Sequence, residues 1–158
     1  MSDEQPTPEI TPEITPDADD LAALQATQDK IIADFGFFDA WEEKYEYLID
    51  LGKSLPDFPK EDITPENKLK GCQSDVWFTA KQEGDALVLQ ATSDAAIVRG
   101  LIGLVLKVYS GHQPQTILAT PPDFIDQIGL SNQLSPSRTN GLHSMIQAIR
   151  NAAVRALG

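Results

Sequence analysis

The longest apolar run of the chain occupies residues 95–109, from Ala95-Ala96-Ile97-Val98 to Lys107-Val108-Tyr109. As a helix rising ~1.5 Å per residue it would be ~22 Å long, short of a ~30 Å bilayer core. It also carries Arg99 and Lys107. The run therefore predicts a buried helix, which other elements must cover on most sides. Gly100 and Gly103 would let one of them approach closely. Ser93 or Asp94 is placed to cap its start, and Ser110-Gly111 to end it. A chain of 158 residues suffices for one domain around such a helix.

The flanking sequence supplies the covering elements. Residues 21–35 place Leu21, Leu24, Gln28, Ile31, Ile32 and Phe35 near one helical face. Asp39 with Glu42 three residues on reads as the start of a second helix, with Trp41, Tyr45, Leu48 and Ile49 as its apolar stripe and Gly52 as its stop. Residues 53–70 hold three prolines and four lysines and predict a long irregular connection. Val76, Phe78 and Ala80 then alternate with Trp77, Thr79 and Lys81, as in a strand. Glu83-Gly84-Asp85 turns the chain, and residues 86–92 return it. Beyond the apolar run, Pro114 and Asp123 begin two short helices, and Ser135-Pro136 begins a long one. Its buried face is marked by Leu142, Met145, Ile146, Ile149, Ala153 and Leu157. The expected fold class is α+β: a small antiparallel hairpin packed against several helices in a single domain.

Charge is distributed unevenly. The net charge is −12, and residues 1–20 hold seven acids and no base. The same segment contains Pro6, Pro8, Pro12 and Pro16 and repeats Thr-Pro-Glu-Ile at 7–10 and 11–14. Such proline density prevents a helix, so residues 1–20 are expected to be a disordered acidic tail and residues 21–158 the folded domain. An acidic chain is a poor nucleic-acid binder, and no membrane span is expected. No secretory signal or transit peptide is visible, and one cysteine excludes a disulfide framework, so a reducing cytoplasmic setting is expected.

That one cysteine, Cys72, lies in Gly71-Cys72-Gln73-Ser74-Asp75-Val76-Trp77. A free cysteine is often a small buried hydrophobe. Here Gly71 permits a tight turn, and Gln73, Ser74 and Asp75 suit an apolar core badly. A lone thiol cannot hold zinc or an iron–sulfur cluster within its own chain, and no metal site is expected. Nor does a histidine accompany it in sequence, as a cysteine hydrolase would need; His112 and His143 read as surface residues. Covalent group transfer requires neither. Lys68 and Lys70 are the nearest cations by sequence and could favour the thiolate. A pKa falling from ~8.5 to ~7 would raise the thiolate fraction at pH 7 roughly 16-fold and lower its nucleophilicity about 5-fold, a net gain of only ~3-fold. Delivering the thiol to its donor matters more, a task suited to a long mobile loop.

The heptapeptide around Cys72 resembles the signature of the SufE-like family of sulfur acceptors for cysteine desulfurases. Further resemblances follow in the family's order: Trp41-Glu42-Glu43-Lys44-Tyr45, Leu51-Gly52-Lys53 with Leu55-Pro56, residues 93–102, and Leu134-Ser135-Pro136-Ser137-Arg138 with Gly141-Leu142. They span about residues 24–157. The resemblance implies a fold like that of IscU-type scaffolds. It implies that Cys72 attacks the persulfide of a pyridoxal-phosphate cysteine desulfurase of the SufS or CsdA type, becomes a persulfide itself and thereby stimulates that enzyme. Sulfur would then pass to an iron–sulfur scaffold such as a SufBCD-type complex. The pyridoxal phosphate belongs to the partner, and no cofactor is expected on this chain.

Gly71, Gln73 and Ser74 are expected to support the Cys72 loop. Asp94, an N-cap candidate, and Arg138 are candidate partner contacts. Arg138 is the more pointed of the two, because a cation in the first turn of a helix opposes the helix dipole. An alternative is a regulatory module that binds a desulfurase or assembly complex without covalent chemistry. A thiol redox sensor would need a resolving thiol from another chain.

Overall fold

The computed structural model describes residues 15–72 and 74–158. Most of the expected tail, residues 1–14, and the candidate loop residue Gln73 lie outside them. Helix α1 spans Ala18–Phe37, capped by the Asp17 carboxylate on the Asp20 N–H at 3.0 Å. Folded structure thus starts upstream of the expected boundary at residue 21. The reason is Asp20, whose carboxylate takes His112 Nδ1 at 2.7 Å and the Gln113 N–H at 2.9 Å. Burial opposes the Asp20 charge, but these hydrogen bonds outweigh it and hold its pKa below the usual value. His112 is consequently a half-buried anchor rather than the surface residue expected, whereas His143 is exposed.

Helix α2, Trp41–Lys53, begins one residue later than an Asp39 cap would give. Ala40 occupies the cap position, and Glu43 Oε1 accepts its N–H at 3.4 Å. Residues 54–75 form the connection, with 3-10 turns at Lys60–Asp62 and Pro65–Asn67. Strands β1, Val76–Glu83, and β2, Ala86–Ser93, make an antiparallel hairpin with Val76 opposite Ser93 and Glu83 opposite Ala86. Gly84 adopts φ +60° at the turn, a conformation that favours glycine. The period-2 pattern holds: Val76, Phe78, Leu87, Leu89 and Ala91 are buried.

The apolar run forms helix α3, Ala96–Tyr109. Gly100 through Leu106, Val108 and Tyr109 are buried, and Lys107 reaches solvent. Neither expected residue caps it in the usual way. Ala95 takes the cap position, and the Ser93 hydroxyl accepts the Ala95 N–H at 3.3 Å. Asp94 is exposed, and its carboxylate accepts from Ser93 Oγ at 3.5 Å. Helix α2 lies directly on α3. A Cβ on Gly100 would stand 2.6 Å from the Leu48 carbonyl oxygen, and one on Gly103 2.6 Å from that of Leu51. Gly52 is the reciprocal contact, where an added Cβ would stand 2.8 Å from the Arg99–Gly100 peptide, and helix α2 continues past it. Its role is close approach, not helix termination.

Two short helices follow, α4 over Pro114–Ala119 and α5 over Asp123–Gln127, and then α6 over Pro136–Leu157. Ser135 caps α6 by accepting the Arg138 N–H at 3.3 Å. Leu142, Met145, Ile146, Ile149 and Ala153 are buried, as their spacing predicts, while Leu157 is exposed at the chain's end. The hairpin and the six helices share one core centred on α3, and the α+β expectation holds. Among the described residues, no helix is long and apolar enough to cross a membrane.

Candidate functional site

The connection that delivers Cys72 is tied down at its end. The Leu69 N–H donates to the Val76 carbonyl at 2.8 Å, and Lys68 pairs with Asp75 at 2.9 Å. Cys72 thus follows a segment whose residues Lys68 and Leu69 are tied to Asp75 and Val76 at the start of the hairpin. Gly71 sets the direction of that segment. It adopts φ +87°, and an added Cβ would lie 2.7 Å from Ser144 Oγ on α6. Any other residue would be strained in its backbone and crowded by the helix.

Cys72 comes to rest against α6, half-buried. Its Sγ lies 3.8 Å from the Gly141 carbonyl oxygen, a long contact to which the protonated thiol donates. Gly141 lies in contact range of the thiol: a Cβ added there would sit at an ordinary packing distance, 3.7 Å, from Sγ. The thiol opens into a cleft of about 360 Å³. The hairpin, α3 and α6 build its apolar lining from Val76, Val98, Leu101, Ile102, Leu142 and Met145. Ser74, Ser135, Ser137 and Arg138 supply the polar part.

Electrostatics leave the resting thiol unactivated. Burial pushes the Cys72 pKa above its ordinary value. Lys68, expected to favour the thiolate, is engaged by Asp75 instead. Arg138 differs: among the described residues, no carboxylate lies within ion-pair distance of its guanidinium. It is exposed on the lining of the thiol's cleft, with no ion-pair partner among the described residues.

The structure thus brings Cys72, Gly71, Ser74 and Arg138 together and leaves Asp94 off the cleft lining. Sequence reasoning missed Val98, Leu101 and Ile102, which read simply as core. Their i, i+3, i+4 spacing marks one face of α3, and that face forms part of the cleft. Ser137, Gly141 and Ser144 were also missed. Gly141 lies in a quoted family stretch, so a signal for it was present. Among the described residues, no cluster of three or more His, Cys, Asp or Glu side chains could hold a metal ion.

Fold and site define a class of protein: a small α+β domain with one thiol beside an apolar cleft and an exposed arginine on the cleft's lining. A family model described as SufE, an Fe-S metabolism associated domain, matches residues 29–153. An uncharacterised SufE-like protein of Rhizobium meliloti (strain 1021) is 45% identical over 130 residues, covering 79% of this chain and 93% of its own. A second uncharacterised SufE-like protein, from Rhizobium etli, is 46% identical over 139 residues, covering 84% and 94%. A hypothetical protein from Thermus thermophilus, solved in solution, shares the fold with a TM-score of 0.71 at 22% identity, over 83% of this chain and 96% of that one. The chain belongs to the SufE family and, through it, to iron–sulfur metabolism.

Proposed function

We propose that the protein is a sulfur acceptor that carries sulfane sulfur on Cys72 from a cysteine desulfurase toward iron–sulfur cluster assembly. The observation that carries this reading is the placement of the chain's one thiol beside an apolar cleft whose lining includes Arg138, which has no ion-pair partner among the described residues. An apolar cleft excludes water from a sulfur–sulfur exchange, and a cation there favours the anions on both sides of it.

The step is a thiol–persulfide exchange. Cys72 loses its proton to solvent, and its thiolate attacks the terminal sulfur of a cysteine persulfide on the partner. A new S–S bond forms at Cys72, the partner's S–S bond breaks, and the partner's cysteine leaves as a thiolate. One sulfane sulfur moves and no net oxidation occurs, so this chain needs neither oxidant nor cofactor for the step. The pyridoxal phosphate that frees sulfur from cysteine is the partner's. Relieved of its persulfide, the desulfurase can turn over again, so the acceptor is also an activator. Arg138, on the lining of the same cleft, would favour an anionic sulfur brought there.

The resting state fits a carrier that works by contact. A half-buried, protonated thiol is a weak nucleophile toward small oxidants and becomes useful when a partner presents its persulfide. The test is stimulation of a cognate desulfurase by wild type and by Cys72→Ser. The carrier reading predicts loss of stimulation in the variant. Stimulation equal to wild type would instead favour a regulator that binds without covalent transfer.

A further inference from the structure

The stretch Trp41-Glu42-Glu43-Lys44-Tyr45 is not part of the cleft lining among the described residues, yet its side chains reach the segment that leads into one wall of that cleft. The Tyr45 hydroxyl donates to the Gln133 carbonyl at 2.9 Å. Among the described residues, this is the only hydrogen bond tying residues 129–135 to an element distant in sequence; the others there are local. The indole of Trp41 lies against Gly129, where an added Cβ would sit 3.7 Å from the ring. Lys44 Nζ stands 4.6 Å over that indole, and the Trp41 and Tyr45 rings are 5.9 Å apart. The first turns of α2 therefore grip residues 129–133. Immediately beyond come Ser135, the cap of α6, and Arg138 in its first turn.

The later turns of the same helix are seated on α3 through Gly52, Gly100 and Gly103. Helix α3 in turn contributes Val98, Leu101 and Ile102 to the cleft. One helix thus contacts both the element that lines the cleft and the segment that leads to its arginine.

We propose that Tyr45 is a positioning residue, whose hydroxyl fixes the 129–135 segment and through it the place of Arg138 over the Cys72 cleft. Its functional meaning rests on the sulfur-acceptor reading above, because a cation held at a set place matters when an anionic sulfur arrives there.

The test uses the charge of the incoming reagent. Cys72 of the full chain is alkylated with anionic iodoacetate and, separately, with neutral iodoacetamide, and the ratio of the two rates is taken. Arg138→Gln is expected to lower that ratio about threefold, the size of one nearby cation's effect in screened water. Tyr45→Phe should lower it in the same direction, by about twofold, since it displaces the cation without removing it. In the Arg138→Gln background, Tyr45→Phe should lower it no further, because both changes act through one group. Opening of the fold would carry Cys72 away from the cation and raise its reaction with iodoacetamide, so displacement of Arg138 within the folded protein is marked by a lowered ratio at a wild-type iodoacetamide rate; a lowered ratio with a raised iodoacetamide rate counts against the proposal. A wild-type ratio in either single variant, or an equal further drop in the double variant, overturns the proposal. Persulfide formation on wild type is scored apart: its absence would refute the carrier reading without altering the ratio.

Discussion

Cys72 is a thiol whose surroundings favour the proton it must lose. Burial raises its pKa, so the neutral form is stabilised by the fold and the thiolate becomes significant only as pH rises through a value above the ordinary one. Iodoacetamide alkylation of the native protein should therefore keep climbing about tenfold per pH unit beyond the ordinary thiol midpoint of about 8.5. Unfolded in guanidinium, the same cysteine should level off near that midpoint. A native profile that levels off below it would show an activated thiol and contradict the resting state described. At this scale the sequence is partly legible. Cys72 stands out because it is alone among polar neighbours, and Arg138 because a cation in a helix's first turn works against the dipole. Asp94 misleads for a local reason: an acid beside a helix start looks like a cap, but β2 runs to Ser93 and Ala95 occupies the cap position. Val98, Leu101 and Ile102 lie in the family-matching stretch 93–102, but their residue type does not mark them as site residues, because an apolar side chain in a cleft and one in a core have the same sequence signature.

Helix α2 owes its place to three missing Cβ atoms. Gly52, Gly100 and Gly103 let it approach α3 until main chain meets main chain. A methyl group at Gly100 has only backbone to push against, 2.6 Å away at the Leu48 carbonyl, so the helices must part. Gly100→Ala should cost about 1–3 kcal/mol in denaturant unfolding, the usual penalty of overpacking. Gly36→Ala is the matched control. It lies in α1 with nothing within 4 Å of its added Cβ, and it should leave stability unchanged or raise it by up to about 1 kcal/mol. Equal effects at the two positions would mean that close approach does not explain Gly100. The Gly100 and Gly103 spacing is readable in the sequence as permission for a neighbour, though not as a statement of which neighbour. The part Gly52 plays is hidden because a glycine near the end of an amphipathic stripe looks like a stop. The hairpin is the most legible element, since alternation, a glycine turn and alternation again leave one register that buries its apolar face.

Across the whole molecule, the chain's chemistry is gathered at one place where hairpin, α3 and α6 meet. The Cys72 loop enters from the hairpin side and Arg138 from the start of α6, with more than sixty residues of chain between them. Sequence reasoning named Arg138 only as a candidate partner contact and did not reach this juxtaposition, because no periodicity or spacing relates positions so far apart. It placed the folded boundary a few residues late for a similar reason. Asp20 reads as one more acid of an acidic segment until His112 and Gln113 are seen to hold it. The central claim is covalent: sulfur rides on this chain at Cys72. Incubation with a cognate desulfurase and cysteine, without reductant, followed by intact mass spectrometry, tests it most directly. The wild-type protein should gain one sulfur, ~32 Da, that is lost on reduction, as thiol–persulfide exchange requires, and Cys72→Ser should gain none. An unmodified wild type in the presence of an active desulfurase, or the same gain in Cys72→Ser, would contradict the claim.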